Sequence, residues 1–399
     1  RPRAAEELAA PPTEATREVV PVQAEPMDAP RAGPVLKVVG VGGGGCNTVS
    51  NLPSALGGLL GSSVELLMLN TDTQALHHNA RDAARDAAAA LEEGEGDEAA
   101  RGGPSAAAIT TVALGEETLH GNGAGGVAAN GKAAAVASEA VLRERLADTD
   151  LIFITAGMGG GTGSGAAPVV ARLAKESGAV TVALVSIPFG FEGSPRAAVA
   201  AAAVAELEAH VDVLVVVENE RLLALLPAGP TVQEALDVAD NVARQAILGV
   251  ATLIGTSQLI NVDLADVRSV MRNAGRGLIA IGRGSGPERA DAAVDAALAS
   301  PLLDLRLEAV RGCAYAVSGG ASLTLHEVNH IGLRLASVMA DDAQIIFGAA
   351  VDLTLPPDEI VLTLIATGMR PPPSPPPFQS PLNIFQYHPP KPLRDDSGQ

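Results

Sequence analysis

Twelve residues, Ile154-Thr-Ala-Gly-Met-Gly-Gly-Gly-Thr-Gly-Ser-Gly165, constrain this chain more than any others. They follow an apolar run, Leu151 to Ile154, with the character of a buried strand. They precede Ala166-Ala167-Pro168-Val169-Val170-Ala171-Arg172-Leu173, which reads as the opening turns of a helix. Of the seven residues Gly159, Gly160, Gly161, Thr162, Gly163, Ser164 and Gly165, five are glycine and two carry hydroxyls. Glycine lets the backbone approach a ligand and adopt positive φ, and free N–H groups at a helix start point at negative charge. A strand, a glycine loop and a helix start read together as a phosphate cradle. Most glycine-rich loops are surface turns, but a plain turn would not be clamped between two apolar elements.

The same order recurs along the chain. Val35 to Val41 reads as a strand running into Gly42-Gly43-Gly44-Gly45-Cys46-Asn47 and a helix. Gly40, Gly42 and Gly45 fit G-x-G-x-x-G, a dinucleotide fingerprint that is weak alone. Asp72, just past the next strand, would be its acidic residue, so a nicotinamide or flavin enzyme is one reading. Gly121-Asn122-Gly123-Ala124-Gly125-Gly126 forms another glycine loop, and one helix is expected over Lys132 to Leu146. Strands over 180–187 and 211–217 follow, separated by a helix that Pro195 helps to start. This alternation predicts an α/β fold with a doubly wound parallel sheet and ligands at the carboxyl ends of its strands. Every glycine loop sits at such an end, and their convergence says more than any single motif.

Such a fold needs a large aliphatic core. With 399 residues, 47% hydrophobic but only 2% aromatic, Ala, Val, Leu and Ile must build it. A formal charge of −19, from 27 basic and 46 acidic residues, favours solubility and argues against nucleic acid as a partner. Cys46 and Cys313 make neither a disulfide framework nor a zinc site, which fits a reducing compartment. No apolar run reaches the ~18 residues of a spanning helix. The chain opens on Arg1 rather than Met, so a trimmed targeting segment is one expectation. Residues 1–33 and 370–399 read as disordered tails. Between them are expected a ligand-binding domain over 34–230, a connecting helix over 231–254 and a smaller α/β domain over 255–369. Residues 79–106, with Glu92, Glu93, Glu95, Asp97 and Glu98 close together, read as a solvated acidic insertion.

Thr231 and Glu234 suggest a capping box opening a helix of about 23 residues, roughly 35 Å long. Its apolar positions, from Val232 through Leu236, Ala239 and Val242 to Leu253, keep a 3.6 period over a wide arc. That is the pattern of a helix buried between two domains. Beyond it comes Asn261-Val262-Asp263-Leu264-Ala265-Asp266. Asp263 and Asp266, three apart at a helix start, put two carboxylates near one face. N-capping and helix-dipole stabilisation explain acidic residues there equally well.

These residues resemble the FtsZ branch of the tubulin/FtsZ family of GTPases. Gly159 to Gly165 match the family's G-G-G-T-G-[ST]-G motif in full, and Asn261 to Asp266 match its N-x-D-x-x-D loop. Asn70-Thr71-Asp72, Phe191-Glu192-Gly193 and Ile346-Phe347-Gly348-Ala349 are similar as well. The likeness runs from about Val35 to Met369 with a gap at the acidic insertion, and it makes the dinucleotide enzyme a remote alternative. The resemblance implies GTP or GDP and Mg²⁺ as ligands. It implies that Gly42, Gly43, Gly44 and Gly45, the loop through Gly125 and Gly126, and Gly159 to Gly165 wrap the phosphates. Asp72 would lie near the γ-phosphate and Mg²⁺, and Glu192 and Arg196 near the ribose. Asn47, Asn219 and Asp240 would read guanine, whose paired N1 and N2 donors an Asp accepts and adenine lacks. Asn261, Asp263 and Asp266 would be catalytic. Cys46, Val127, Ala128, Glu220 and Leu236 depart from the family pattern. Leu236 replaces a Phe that stacks on guanine, at a loss of about 1 kcal/mol.

Distance then sets the expected mechanism. Asp240 is near the start of the long helix, while Asp263 and Asp266 lie beyond its far end, about 30 Å or more away. They would therefore act on the nucleotide of a neighbouring copy, and a head-to-tail contact that does not close is a filament. The implied protein is a polymerising GTPase of a division ring, built from this chain or with a paralogous subunit. Membranes would be reached only through adaptor proteins. A non-hydrolysing GTP-binding co-polymer subunit is the alternative. The family works in bacterial cytoplasm or plastid stroma, and the low-complexity insertion with Pro301-Leu302-Leu303-Asp304 favours the plastid stroma.

Overall fold

Ten strands form one sheet in the computed structural model, which describes residues 34–56, 64–92, 109–222, 231–254, 263–300, 310–352 and 355–369. Both expected tails, Asn261 and the 301–304 segment lie outside the described residues. Runs of Val, Ile and Leu make β1 (Leu36–Val41), β2 (Val64–Asn70), β3 (Ile109–Ala113), β4 (Leu151–Gly157), β5 (Val180–Ile187) and β6 (Val213–Glu218). All but β3 are largely buried on both faces, as helix-covered parallel strands are. The second half adds β7 (Gly275–Ser285), β8 (Gly312–Gly319), β9 (Gln344–Val351) and β10 (Glu359–Met369). The order is β3-β2-β1-β4-β5-β6-β7-β10-β8-β9. Pairs from β3 to β7 are parallel, and β10 runs antiparallel to both β7 and β8.

The helices before the long one are α1 (Gly42–Ser50), α2 (Pro53–Leu56), α3 (Thr73–Glu92), α4 (Glu116–Leu119), α5 (Ala128–Ala137), α6 (Glu139–Leu146), α7 (Gly161–Glu176), α8 (Ser194–Glu208) and α9 (Asn219–Leu222). Then come α10 (Val232–Ile254), α11 (Leu264–Met271), α12 (Arg289–Leu298) and α13 (Leu325–Ala336). The capping box before α10 is present, with Glu234 accepting from Thr231 N and Thr231 Oγ1 accepting from Glu234 N. Val242, Ala246, Ile247 and Val250 of α10 share one core with Val213 of β6, Ile279 of β7, Ala314 of β8 and Ile365 of β10. The long helix thus packs on strands from both halves of the chain. No helix among the described residues is long and apolar enough to cross a membrane.

Two expectations change. The stretch read as an insertion begins as helix, because α3 runs through to Glu92. Leu76, Ala83 and Ala87 form its buried stripe, and alanine gives such a stripe little contrast in sequence. The helix expected over 132–146 is two, broken at Ser138, whose Oγ accepts from Gly115 N at 3.0 Å.

Helices α5 and α7 approach closely through glycines. A Cβ on Gly165 would overlap the Ala128 carbonyl oxygen, and one on Gly131 the Gly161 carbonyl oxygen. Gly165→Ala is therefore expected to force backbone apart and to cost about 3 kcal/mol. Calorimetry should show a Tm lower by roughly 5–10 °C. An unchanged Tm would mean that the two helices separate freely.

Candidate functional site

Three helices open where the glycine loops end. Their N-caps are Val41 for α1, Val127 for α5 and Gly160 for α7, and none supplies a side-chain cap. None of the three has an acidic residue in its first turn. Their first N–H groups and positive dipole ends are thus left for an anion. The three starts are neighbours. A Cβ on Gly42 would lie 2.9 Å from Gly163 N, and one on Gly161 would lie 2.9 Å from Val127 N.

The glycines divide by what they make possible. At Gly43, Gly160, Gly125 and Gly126 a Cβ would meet open space, and the last two have φ of 61° and 75°. At Gly45, Gly161, Gly163 and Gly165 a Cβ would strike neighbouring atoms, so glycine there permits packing of the cradle itself. Ser164 is buried and its Oγ accepts from Gly159 N at 2.8 Å, holding the turn. The Thr162 and Thr71 hydroxyls lie 2.6 Å apart, tying the start of α7 to the end of β2.

In front of α1 and α7 opens a cleft of about 440 Å³. It brings together Gly43, Gly44, Asn47, Gly160, Gly161, Thr162, Gly163, Glu192, Arg196, Asn219 and Asp240. Gly42, Gly45, Gly159, Ser164 and Gly165 are not among its lining residues, nor are Asp72, Gly125 and Gly126. Asp72 caps α3, its Oδ1 accepting from Gln74 N and Ala75 N, and it bridges to Asn122 of the second glycine loop. A larger hollow of about 860 Å³, beside Arg272, Asn273 and Arg311, holds none of the glycine loops.

Polar groups at the other end of the cleft are set by neighbours that no motif marks. Asn79 of α3 donates to Asn47 Oδ1 at 2.7 Å, which turns the Asn47 amide nitrogen free as a donor. Asn219 is 6% exposed and its Oδ1 has no partner among the described residues. Leaving such an acceptor unmet costs about 1–3 kcal/mol, which a ligand donor would offset. Burial pushes the Asp240 carboxyl up from 3.8 to about 6, against a lowering hydrogen bond from Thr48 and with a smaller push from Asp237. Glu192 and Arg196 pair with each other at 2.8 Å. Leu236 and Met158 supply apolar wall, and Leu236 is 43% exposed. Thr48 and Asn79 were not legible as site residues, since only the folded chain sets them against Asp240 and Asn47.

The acidic pair lies at the opposite edge of the sheet. Asp263 Oδ1 caps α11 by accepting from Ala265 N at 3.1 Å, and Asp266 sits in the first turn, both exposed. Helix α11 leads into β7, whose Gly275 pairs with Val213 at the start of β6. Arg268 of α11 meets Asp150, beside the start of β4, at 2.8 Å. The helix therefore runs along the amino ends of the parallel strands, whereas the cleft lies at their carboxyl ends. The seven residues of β4 alone separate those edges by about 23 Å.

Residues 35–227 match the GTPase domain of the Tubulin/FtsZ family, and residues 275–370 match the FtsZ family C-terminal domain. An empty FtsZ dimer from M. jannaschii is 36% identical, covering 84% of this chain and 88% of that one, with a TM-score of 0.73. The chain belongs to the FtsZ family. A point mutant of M. jannaschii FtsZ is 35% identical, covering 84% and 92%, with a TM-score of 0.72. CetZ2 from Haloferax volcanii, solved as a GTPγS-bound protofilament, is 17% identical, covering 84% and 95%, and shares the fold with a TM-score of 0.63. Members of the FtsZ family are GTPases, so this chain is a GTPase that binds GTP and GDP, and the dinucleotide reading falls away.

Proposed function

We propose that this FtsZ-family GTPase holds GTP in the cleft of one copy and hydrolyses it with Asp263 and Asp266 of the next. The observation that carries this is the separation of cleft and acidic pair across the sheet. A single copy has half a site at each edge, and head-to-tail stacking joins them into a filament. The uncapped starts of α1, α5 and α7 hold the phosphates and the charge that develops on them. Asp263 and Asp266 orient the attacking water. Asp72 spends Oδ1 on the α3 cap, and its backbone bridges to Asn122 of the second glycine loop. One carboxylate suits Mg²⁺ bound mainly through substrate phosphates and water, where the ion would neutralise phosphate charge. Asn47, Asn219 and Asp240 face the base, and the Glu192–Arg196 pair faces the ribose.

The proposal extends to a division ring, in plastid stroma or bacterial cytoplasm, with membranes reached through adaptor proteins. The sequence resemblance supports that setting, and the FtsZ dimer and CetZ2 protofilament support association between copies. Turnover per subunit is expected to rise steeply with protein concentration and then level off. Turnover that stays flat on dilution would overturn the shared site. Leu236, where a Phe would stack on guanine, favours one second reading, a co-polymer subunit that does not hydrolyse GTP. No turnover at any concentration, with GTP still bound, would select it.

A further inference from the structure

Thr48 belongs neither to the glycine motif nor to the acidic pair, yet it touches both ends of the cleft. It is 3% exposed and sits on α1 one turn after Gly44. Its Oγ1 lies 3.0 Å from Asp240 Oδ1 on α10 and 3.2 Å from the Gly44 carbonyl oxygen. A small hollow between them is lined by Gly44, Thr48, Thr155, Gly157 and Asp240. One hydroxyl carries one proton, so the two acceptors compete for it, and an ionised carboxylate wins over a carbonyl.

We propose that Thr48 is a specificity-determining positioning residue, which fixes the Asp240 carboxylate toward the base and couples that orientation to the phosphate loop at Gly44. This rests on the assignment of the cleft to GTP. The groups around Asp240 leave Thr48 a distinct part. Asp237 and Arg244 lie one turn either way on α10, and Arg244 donates to Asn241. From α9 comes Asn219, while Glu220 accepts from Gly190 N and Arg221 donates to Glu218. From β5 come Ser186 and apolar side chains, and the Glu192–Arg196 pair lines the far wall. Thr48 is the group from α1 that hydrogen-bonds the carboxylate. Without its hydroxyl, burial and Asp237 act on Asp240 unopposed by that bond, and the protonated form gains.

Thr48→Val keeps the shape and removes the hydroxyl, while Thr48→Ser keeps the hydroxyl. Calorimetric titrations of the full chain with GTP and with inosine triphosphate, which lacks the N2 amino group, read both affinity and base selection. Thr48→Val is expected to weaken GTP about tenfold at neutral pH, the scale of one hydrogen bond to a charged group. Its preference for GTP over inosine triphosphate should shrink. The pH below which GTP affinity falls, about 6 from the Asp240 carboxyl of the wild type, should move upward. Thr48→Ser should restore all three readouts. A lowered Tm with an unchanged nucleotide ratio and pH midpoint would overturn the proposal, because that is what a merely structural threonine does. Asp240→Asn separates the two layers. If it leaves GTP preference intact, the assignment of the cleft fails. If it alters that preference and Thr48→Val does not, the role of Thr48 alone fails.

Discussion

Asp266→Ala is expected to cut GTP turnover by roughly a thousandfold, the scale of a lost water-activating carboxylate, while GTP affinity stays within about a factor of two. The two effects separate because Asp266 lies at the amino ends of the strands and the cleft at their carboxyl ends. The cost to folding is small, since an exposed acid in a helix first turn contributes about 0.3–1 kcal/mol. Asp263 needs a different substitution, because its Oδ1 caps α11. Asp263→Asn keeps the cap and removes the charge, so lost turnover at unchanged Tm would assign the charge to hydrolysis. Full turnover in that variant would leave Asp263 as a cap alone. Mixing tests the sharing of the site directly. Asp266→Ala has an intact cleft, and Asp240→Asn has an intact acidic edge. In an equal mixture supplied with GTP, at most roughly a quarter of random head-to-tail contacts pair the two intact halves. Turnover recovering toward that fraction supports a site made by two copies. A mixture no more active than its parts would sink it.

How much of this was legible beforehand depends on the range of the interactions. Strands β1, β4, β5 and β6 announce themselves as aliphatic runs, because a strand buried on both faces admits little else, and β1 runs directly into glycine while β4 ends in it. The cradle was legible for the same local reason, a strand running straight into a helix through glycines. The motif could not say which glycines face a ligand and which let backbone pack, since Gly43 and Gly165 look alike in sequence but not in their surroundings. The part of α3 from Asn79 to Glu92 was hidden by its alanine stripe and by the acids beyond it. The break at Ser138 depends on Gly115, which approaches only in the folded chain. The antiparallel insertion of β10 between β7 and β8 rests on pairing that no local pattern encodes. Thr48 meets Asp240 across 192 residues of sequence and Asn79 meets Asn47 across 32, so neither had a local signal.

Asp240→Asn is expected to weaken GTP by roughly 10²–10⁴-fold, because two donors of guanine lose a charged acceptor worth about 1.5–3 kcal/mol each. A carboxylate accepts from N1–H and the N2 amino group together. The amide offers one acceptor and one donor, which repels the N2 amino group but matches xanthine, whose C2 carries a carbonyl. Xanthosine triphosphate should therefore become the preferred nucleotide. The neighbours of Asp240 sharpen the expectation. Thr48 donates to Oδ1 and burial raises the carboxyl to about 6, so the wild type holds a carboxylate at neutral pH that it can lose in mild acid. Lowering pH through that value protonates Asp240 and removes the charged acceptor, so GTP affinity falls on the acid side and is flat above it. An asparagine does not titrate, so the variant should show no such step. In the free protein the sign is opposite. The folded chain prefers the protonated acid, so ionising Asp240 between pH 3.8 and about 6 costs stability that bound guanine recovers. Competition titrations with both triphosphates across that range check the swap and the lost step together. A variant that still prefers GTP, or that keeps the acid step, would mean that the base is read elsewhere in the cleft.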